Sequence, residues 1–383
     1  MNENAAVSRI KAIDVLRGAI MILMAIDHVR VYSGQPAGGT EPGIFFTRWV
    51  THFCAPGFVF LAGTSAFFYG LKLKSKAKLA SYLITRGLLL VLLELTLIRF
   101  AWTFNFNYSD FILAGVIWML GWCMIIMAAF IWLKPWIAGV VGLGIIIGQQ
   151  AFAYAPKLLP ATAQSSFGRF WEFVYTSGFE SVQGVTVLYV LVPWIGVMAA
   201  GYGFGLILLH EPKKRNRLSR LIGLLAILLF IVIGCITILR QPLTPEARPF
   251  IYQLLNQRKY PASLLYILMT LGPTIALIPF AEKVSGWFAN VLTTFGRVPF
   301  FYYLLHIPLI HLSALAVNFI REGSMHQKFY DTAPYTQMSP EYQWNLLLLY
   351  LVFTVDVVIL YFACRWYENY KFGHPQSKLL KYI

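Results

Sequence analysis

Residues 218–239 read LSRLIGLLAILLFIVIGCITIL, and no charged side chain interrupts the run from Leu221 to Leu239. A helix gains about 1.5 Å per residue, so crossing the hydrocarbon core of a bilayer takes roughly 20 apolar residues. This stretch meets that need. A basic cluster, Lys213, Lys214, Arg215 and Arg217, stands just before it. Nine more stretches of similar character flank it. Together the ten cover 12–33, 44–71, 79–99, 111–133, 136–154, 186–210, 218–239, 261–281, 298–320 and 343–365, with boundaries good to about four residues.

The composition agrees. The chain has 383 residues, of which 58% are hydrophobic, 16% aromatic and 12% charged, with a mean hydropathy of +0.65. Soluble domains carry about 25% charged residues. A chain this poor in charge cannot cover a water-facing surface, so the lipid bilayer is its solvent. The expected fold is all-α: one integral-membrane domain over residues 1–383, with about ten transmembrane helices. Asp14 and Arg17 sit at the start of the first apolar run, and no small-residue cleavage site ends it. It therefore reads as a retained first helix and not a cleaved signal.

Orientation follows from the loops. Lys72, Lys74, Lys76 and Lys78 follow the second stretch, and the cluster at 213–217 follows the sixth. Lys371, Lys378 and Lys381 follow the tenth, while Arg9 and Lys11 precede the first. With ten spans all four groups fall on one side, which makes both termini cytoplasmic. The formal charge of +15 is thereby explained by topology, and nucleic acid is not expected as a partner. The other side receives longer loops, about 34–43, 100–110, 155–185, 240–260 and 321–342. Loop 155–185 carries Phe167, Phe170, Trp171, Phe173, Tyr175 and Phe179, suited to an aromatic interface belt or to sugar stacking. Segment 283–295, with Trp287 and Phe288, suits a short interfacial helix. Cys54, Cys123, Cys235 and Cys364 are scattered without metal spacing, so neither a disulfide framework nor a metal site is expected.

The chemistry concentrates in the first stretch, Ile13-Asp14-Val15-Leu16-Arg17-Gly18 through Asp27-His28-Val29-Arg30. On a helix Arg17 and His28 lie within about 20° of one face and about 16 Å apart along the axis. Asp14 stands one turn before Arg17 on nearly the same stripe. Charged groups inside a membrane normally face the bundle interior or a watery cavity. The plain alternative is that Asp14 and Arg17 anchor the helix to headgroups and His28 lies at the outer interface.

Arg-x10-His with Asp three residues before the Arg resembles the first helix of the acyltransferase-3 membrane O-acyltransferases. The wider text resembles bacterial relatives of heparan-α-glucosaminide N-acetyltransferase more closely. It comprises Arg9-Ile-Lys-Ala-Ile-Asp-Val-Leu-Arg-Gly, then Ile-Leu-Met-Ala-Ile-Asp-His, and Phe53-Cys-Ala-Pro-Gly-Phe-Val-Phe-Leu-Ala-Gly-Thr-Ser. Val192-Pro-Trp-Ile-Gly-Val, Lys259-Tyr-Pro-Ala-Ser-Leu-Leu and Phe295-Gly-Arg-Val-Pro-Phe-Phe-Tyr-Tyr-Leu-Leu-His extend the likeness over most of the chain. The resemblance implies an acyltransferase of a bacterial-type inner (plasma) membrane. Its co-substrate would be cytoplasmic acyl-CoA, most simply acetyl-CoA, and its acceptor an extracytoplasmic sugar or glycan. In the lysosomal enzyme the catalytic His lies in the loop after the first helix. Here loop 34–43 has no His, and His28 takes the position of the O-acyltransferases, which leaves nitrogen and oxygen acceptors both open.

On this reading Arg17, with Asp14 and Arg86, binds the CoA arm or its phosphates. His28 acts as general base or, as the alternative, carries the acyl group transiently. His52, opening the second stretch near the outer end of the first, and Asp27 complete the catalytic candidates. Asp27 lies off the stripe and is free to meet a group from another helix. His306, Lys259 and Trp194 are the substrate-binding candidates. His306 and His311 diverge by about 140° and cannot share a face. Arg86, Glu94 and Asp356 are either paired between helices or pocket-lining. A transporter or flippase for a small or lipid-linked solute is the competing reading, and a non-catalytic membrane subunit a third. Oligomeric state is open, a homodimer included.

Overall fold

The computed structural model describes residues 10–38, 41–175, 181–182, 184–242, 248–374, 376–377 and 380. Arg9, Phe179, Lys378 and Lys381, used above for orientation and the aromatic loop, lie outside the described residues.

Helix occupies every one of the ten apolar stretches. Helix α1 is Lys11–Tyr32; α2, Pro42–Thr51, and α3, Cys54–Leu73, share the second stretch. Helix α4, Lys76–Leu93, continues through a π-helical segment, Glu94–Ile98, into α5, Arg99–Thr103. Then come α6, Val116–Phe130; α7, Pro135–Ile147, bent by 74° into the 3-10 segment Gln149–Leu158; and α8, Ala161–Trp171. Helices α9, Trp194–Leu208, α10, Pro212–Leu239, and α11, Phe250–Leu255, follow. The chain ends with α12, Leu264–Ala276, α13, Ile278–Lys283, α14, Gly286–Arg297, α15, Pro299–Glu322, and α16, Leu346–Gly373.

Five helical units are long and apolar enough to cross a membrane: Pro42–Leu73, Pro212–Leu239, Leu264–Lys283, Pro299–Glu322 and Leu346–Gly373. The bent pair from Pro135 to Leu158 makes six if taken as one span. The protein is thus a polytopic helical membrane protein. Helices α6 and α9 are as apolar but only 15 residues long. Helix α1 has the length, 22 residues, but carries Asp14, Arg17, Asp27 and Arg30, so apolarity alone does not mark it. Those charges are tolerable because α1 lies at the centre of the bundle, packed by α14, α15, α13, α2, α3 and α16.

Lipid supplies no hydrophobic drive between helices, so close approach rests on small residues. At Gly18 of α1 a Cβ would stand 1.8 Å from the Leu292 carbonyl oxygen of α14, and at Gly296 of α14 one would stand 1.9 Å from the Asp14 carbonyl oxygen. The two backbones therefore touch, which sets the register of α14 against the charged end of α1. Helix α14 exposes Trp287 and Phe288 on its other side, as an interfacial segment should. Gly201 makes the same kind of contact between α9 and Phe60 of α3.

A three-stranded sheet departs from the all-helical expectation. Strand β1, Ile112–Ala114, pairs in parallel with β3, Val185–Val187, which pairs antiparallel with β2, Ser181–Val182. Strands of two or three residues are too short for an alternating pattern to register in sequence. The amides of Leu188 and Tyr189 donate on to the Ala114 carbonyl oxygen, at 3.1 and 3.3 Å, and so fix Tyr189 beside the site described below. At the C-terminal end of α1, the Tyr32 hydroxyl donates to the Trp102 carbonyl (2.6 Å), and the Trp344 amide donates to that of Ser33 (3.0 Å). The connection between α15 and α16 thereby closes over the end of α1.

Candidate active site

One cavity of about 990 Å³ runs along the charged face of α1. Asp14, Arg17, Met24 and His28, the stripe that helical geometry places on one side, all line it, and Asp27 joins them from beside that stripe. At the end where α1 begins, Arg17, Lys72, Lys74, Arg297 and Lys371 gather, with Arg86 deeper along α4. Among the described residues Asp14 is the one carboxylate lining that end, paired with Arg17 at 3.6 Å, and Glu368, outside the lining, pairs with Arg297 at 2.7 Å. Arg17 also donates to the Gly296 carbonyl (3.1 Å) and to Ser65 Oγ (2.6 Å), so α3 and α14 both hold its fork in place. Arg86 donates to the Tyr82 hydroxyl at 2.7 Å. The mouth is strongly cationic, suited to phosphate groups.

The middle of the cavity is apolar, walled by Phe58, Ala62, Leu83, Leu120 and Met124. Its far end is polar again and holds Asp27, His28, Tyr189, Lys259 and Tyr303. His28 Nδ1 lies 2.7 Å from His306 Nε2, with the rings stacked at 4.8 Å between centroids. Trp102 packs edge-on against His28 at 4.7 Å. His306 is fully buried, and its Nδ1 reaches the carbonyls of Tyr303 (2.7 Å) and Tyr302 (3.1 Å). His28 Nε2 makes no hydrogen bond to the protein among the described residues, and the ring borders the cavity.

Asp27 is held by two cations. Arg30 donates to Oδ1 at 3.0 Å, and Lys259 Nζ stands 3.8 Å from Oδ2. Lys259 belongs to the connection before α12, and its ammonium lies over the rings of Tyr260 (5.3 Å) and Tyr189 (5.9 Å). Burial opposes its charge, but the Tyr260 oxygen and the Asp27 carboxylate more than offset that and hold the ammonium above its usual range.

The structure therefore brings Asp14, Arg17, Arg86, Asp27, His28 and Lys259 to one cavity and sets His306 directly behind His28. His52 and Trp194 stand elsewhere. His52 is 3% exposed at the end of α2, edge-on to Tyr266, and neither ring nitrogen has a hydrogen-bond partner among the described residues. Trp194 is buried against Tyr189 at the start of α9 and does not line the cavity. Of the other intramembrane charges, Glu94 lies against the amides of Gly115, Ile117 and Trp118 at the start of α6, a helix-capping role. Asp356 accepts from Ser313 Oγ at 2.7 Å. Among the described residues no group of three or more His, Cys, Asp or Glu side chains is placed to hold a metal ion.

Sequence reasoning missed Tyr189, Tyr303, Trp102 and Arg297 as site residues. It counted Lys72, Lys74 and Lys371 for topology alone, although basic residues at helix ends are also where a cavity mouth would recruit cations.

The family described as heparan-alpha-glucosaminide N-acetyltransferase, catalytic, matches residues 9–240. The chain belongs to this family. The protein is accordingly a membrane acetyltransferase, of a family whose donor is acetyl-CoA. No curated protein matches the chain. The matched stretch holds α1 and most of the apolar wall of the cavity. Lys259, Arg297, Tyr303 and Lys371 complete the same cavity from beyond it.

Proposed function

We propose that this acetyltransferase moves an acetyl group from cytoplasmic acetyl-CoA to a sugar or glycan on the opposite side of the membrane, with His28 as general base. The carrying observation is the single cavity that joins a cationic mouth to His28 through an apolar middle. Phosphates of the donor would meet Arg17, Arg86 and the mouth lysines. The arm, of the order of the ~16 Å between Arg17 and His28, would bring the thioester to the imidazole.

The acceptor's hydroxyl or amine then gives its proton to His28 as its oxygen or nitrogen bonds the thioester carbonyl carbon. The carbon–sulfur bond breaks, and His28 returns the proton to the departing thiolate, leaving free CoA and the acetylated acceptor. Lys259, charged and at the same end, stabilises the oxyanion that forms on the carbonyl. Asp27 holds Lys259 in position.

Ten spans with both termini cytoplasmic, in a single domain of a bacterial-type inner membrane, agree with this direction of transfer. Each of the ten stretches holds helix, and the basic mouth is built from the lysines that the charge pattern assigns to the cytoplasm. A transporter would place a broken helix at its central site, whereas the bent pair between Pro135 and Leu158 contributes no residue to the cavity.

The test is acetyl transfer and acetyl-CoA hydrolysis by purified protein beside His28→Ala, with CoA binding measured on both. A loss of about 10²–10⁴-fold in kcat with binding kept supports His28 as base. Full activity in the variant removes His28 from the mechanism, and absence of CoA binding by the wild type removes the reading altogether.

A further inference from the structure

The geometry points to His306 as the positioning residue that presents His28 to the substrate in its Nδ1-protonated tautomer, leaving Nε2 as the basic nitrogen. This rests on the reading of His28 as general base and adds what makes it competent.

A backbone carbonyl only accepts. His306 Nδ1 stands 2.7 Å from the Tyr303 carbonyl oxygen and 3.1 Å from that of Tyr302, so this nitrogen carries hydrogen. In a neutral imidazole the other nitrogen is then an acceptor. His306 Nε2 must therefore receive the hydrogen of His28 Nδ1 across 2.7 Å. The lone pair of His28 is left on Nε2, the nitrogen without a protein partner on the ring that borders the cavity. Had His28 carried its hydrogen on Nε2, two lone pairs would face each other at 2.7 Å.

The surroundings keep this arrangement in one orientation. His306 is fully buried, stacked on Tyr302 at 5.2 Å and crossed by Tyr303 at 5.1 Å, so its ring cannot turn without losing the carbonyls. Trp102 braces the His28 ring from another side. When His28 takes the substrate's proton on Nε2, its Nδ1–H still has His306 Nε2 to donate to, which stabilises the imidazolium as it forms. A carboxylate does this work behind many catalytic histidines. Here Asp27, the carboxylate next in sequence, is engaged by Arg30 and Lys259, and a second imidazole stands in its place.

His306→Leu removes the acceptor, and His306→Gln restores one through its amide oxygen. Both are compared with wild type and His28→Ala for kcat, for KM of acetyl-CoA and for the pH profile of kcat/KM. Asp27, Arg30 and Lys259, the charges facing His28, are unchanged throughout. The leucine variant should lose at least ~10-fold in kcat, up to the ~10⁴-fold that a wrong tautomer costs elsewhere. Its KM should be nearly unchanged, its limb of the pH profile displaced, and the glutamine variant should recover part of both. If His28→Ala is inactive while His306→Leu matches wild type in kcat and pH profile, His306 has no such role and the general-base reading stands. If His28→Ala keeps full activity, that reading itself falls. Should the leucine variant fail to fold, ¹⁵N spectra of histidine-labelled wild type, with His28 assigned by its loss in His28→Ala, decide the matter. Hydrogen on Nδ1 upholds the inference and hydrogen on Nε2 overturns it.

Discussion

Lys259 Nζ stands 3.8 Å from Asp27 Oδ2, although one residue lies in the connection before α12 and the other in the last two turns of α1. The contact gives a partly buried carboxylate its second cation and points that cation at the same cavity end as His28. Breaking one partner of a fully buried pair costs about 3–5 kcal/mol, and this partly buried pair should cost less, whereas removing both partners costs least. Asp27→Asn and Lys259→Met should each lower thermal stability, and the double variant should lose less than the sum. The measurement is a double-mutant cycle on Tm. Additive losses would show that the pair carries no coupling.

Lys259 is also expected to act on the reaction. Lys259→Met should reduce kcat by about 10–10²-fold if the ammonium stabilises the oxyanion. Its folded-state value lies above the ordinary one, so the charge and the stability it contributes are fully present below about pH 10 and fall only above it. A limb of the activity profile between pH 6 and 9 should therefore persist unchanged in Lys259→Arg. A limb that moves with that substitution would assign it to Lys259.

The mouth should act on binding and not on chemistry. Lys72 and Lys74 are exposed at the end of α3 and line the cavity. Lys72→Ala with Lys74→Ala should raise KM for acetyl-CoA by roughly 3- to 10-fold with kcat kept, the pattern of lost uniform binding. Salt should weaken wild-type binding more than that of the variant, because exposed charges are screened. A variant with unchanged KM at low salt would place the phosphates elsewhere.

Gly18→Ala should be costly, since its Cβ would meet backbone 1.8 Å away on α14. Overpacking of this kind costs about 1–3 kcal/mol or more, and pushing α14 outward would also free Arg17 from the Gly296 carbonyl. Gly144→Ala, with nothing within 4 Å of the added carbon, should be neutral or stabilising. Melting temperatures of the two variants check the contrast, and equal values would argue against the close α1–α14 contact.

His52→Phe should keep most of the acetyl transfer. Both ring nitrogens lack partners among the described residues, and the side chain packs on Tyr266 away from the cavity lining, so an apolar ring satisfies the same surroundings. Activity lost in a variant that still folds and binds CoA would bring His52 into the mechanism.

Much of this was legible in the chain itself. Apolar runs of membrane length are local, so each of the ten stretches is helical. The 3.6-residue period alone puts Asp14, Arg17 and His28 on one face, and they do line one cavity. Glu94 and Arg99 were less readable. Glu94 meets amides at the start of α6, and Arg99 donates to the Phe111 carbonyl at 2.8 Å and to Thr103 at 3.0 Å. Backbone partners leave no mark in side-chain spacing.

The sequence by itself determined that lipid is the solvent, where the helices lie, and which face of α1 carries charge. These depend on composition and on a period set by the backbone. Only the tertiary structure decided which groups meet that face. His306 is 278 residues from His28 in the chain, and Lys259 is likewise remote from Asp27. Residues so far apart are joined by how helices cross and touch, as at Gly18 and Gly296, and no local pattern encodes such a crossing.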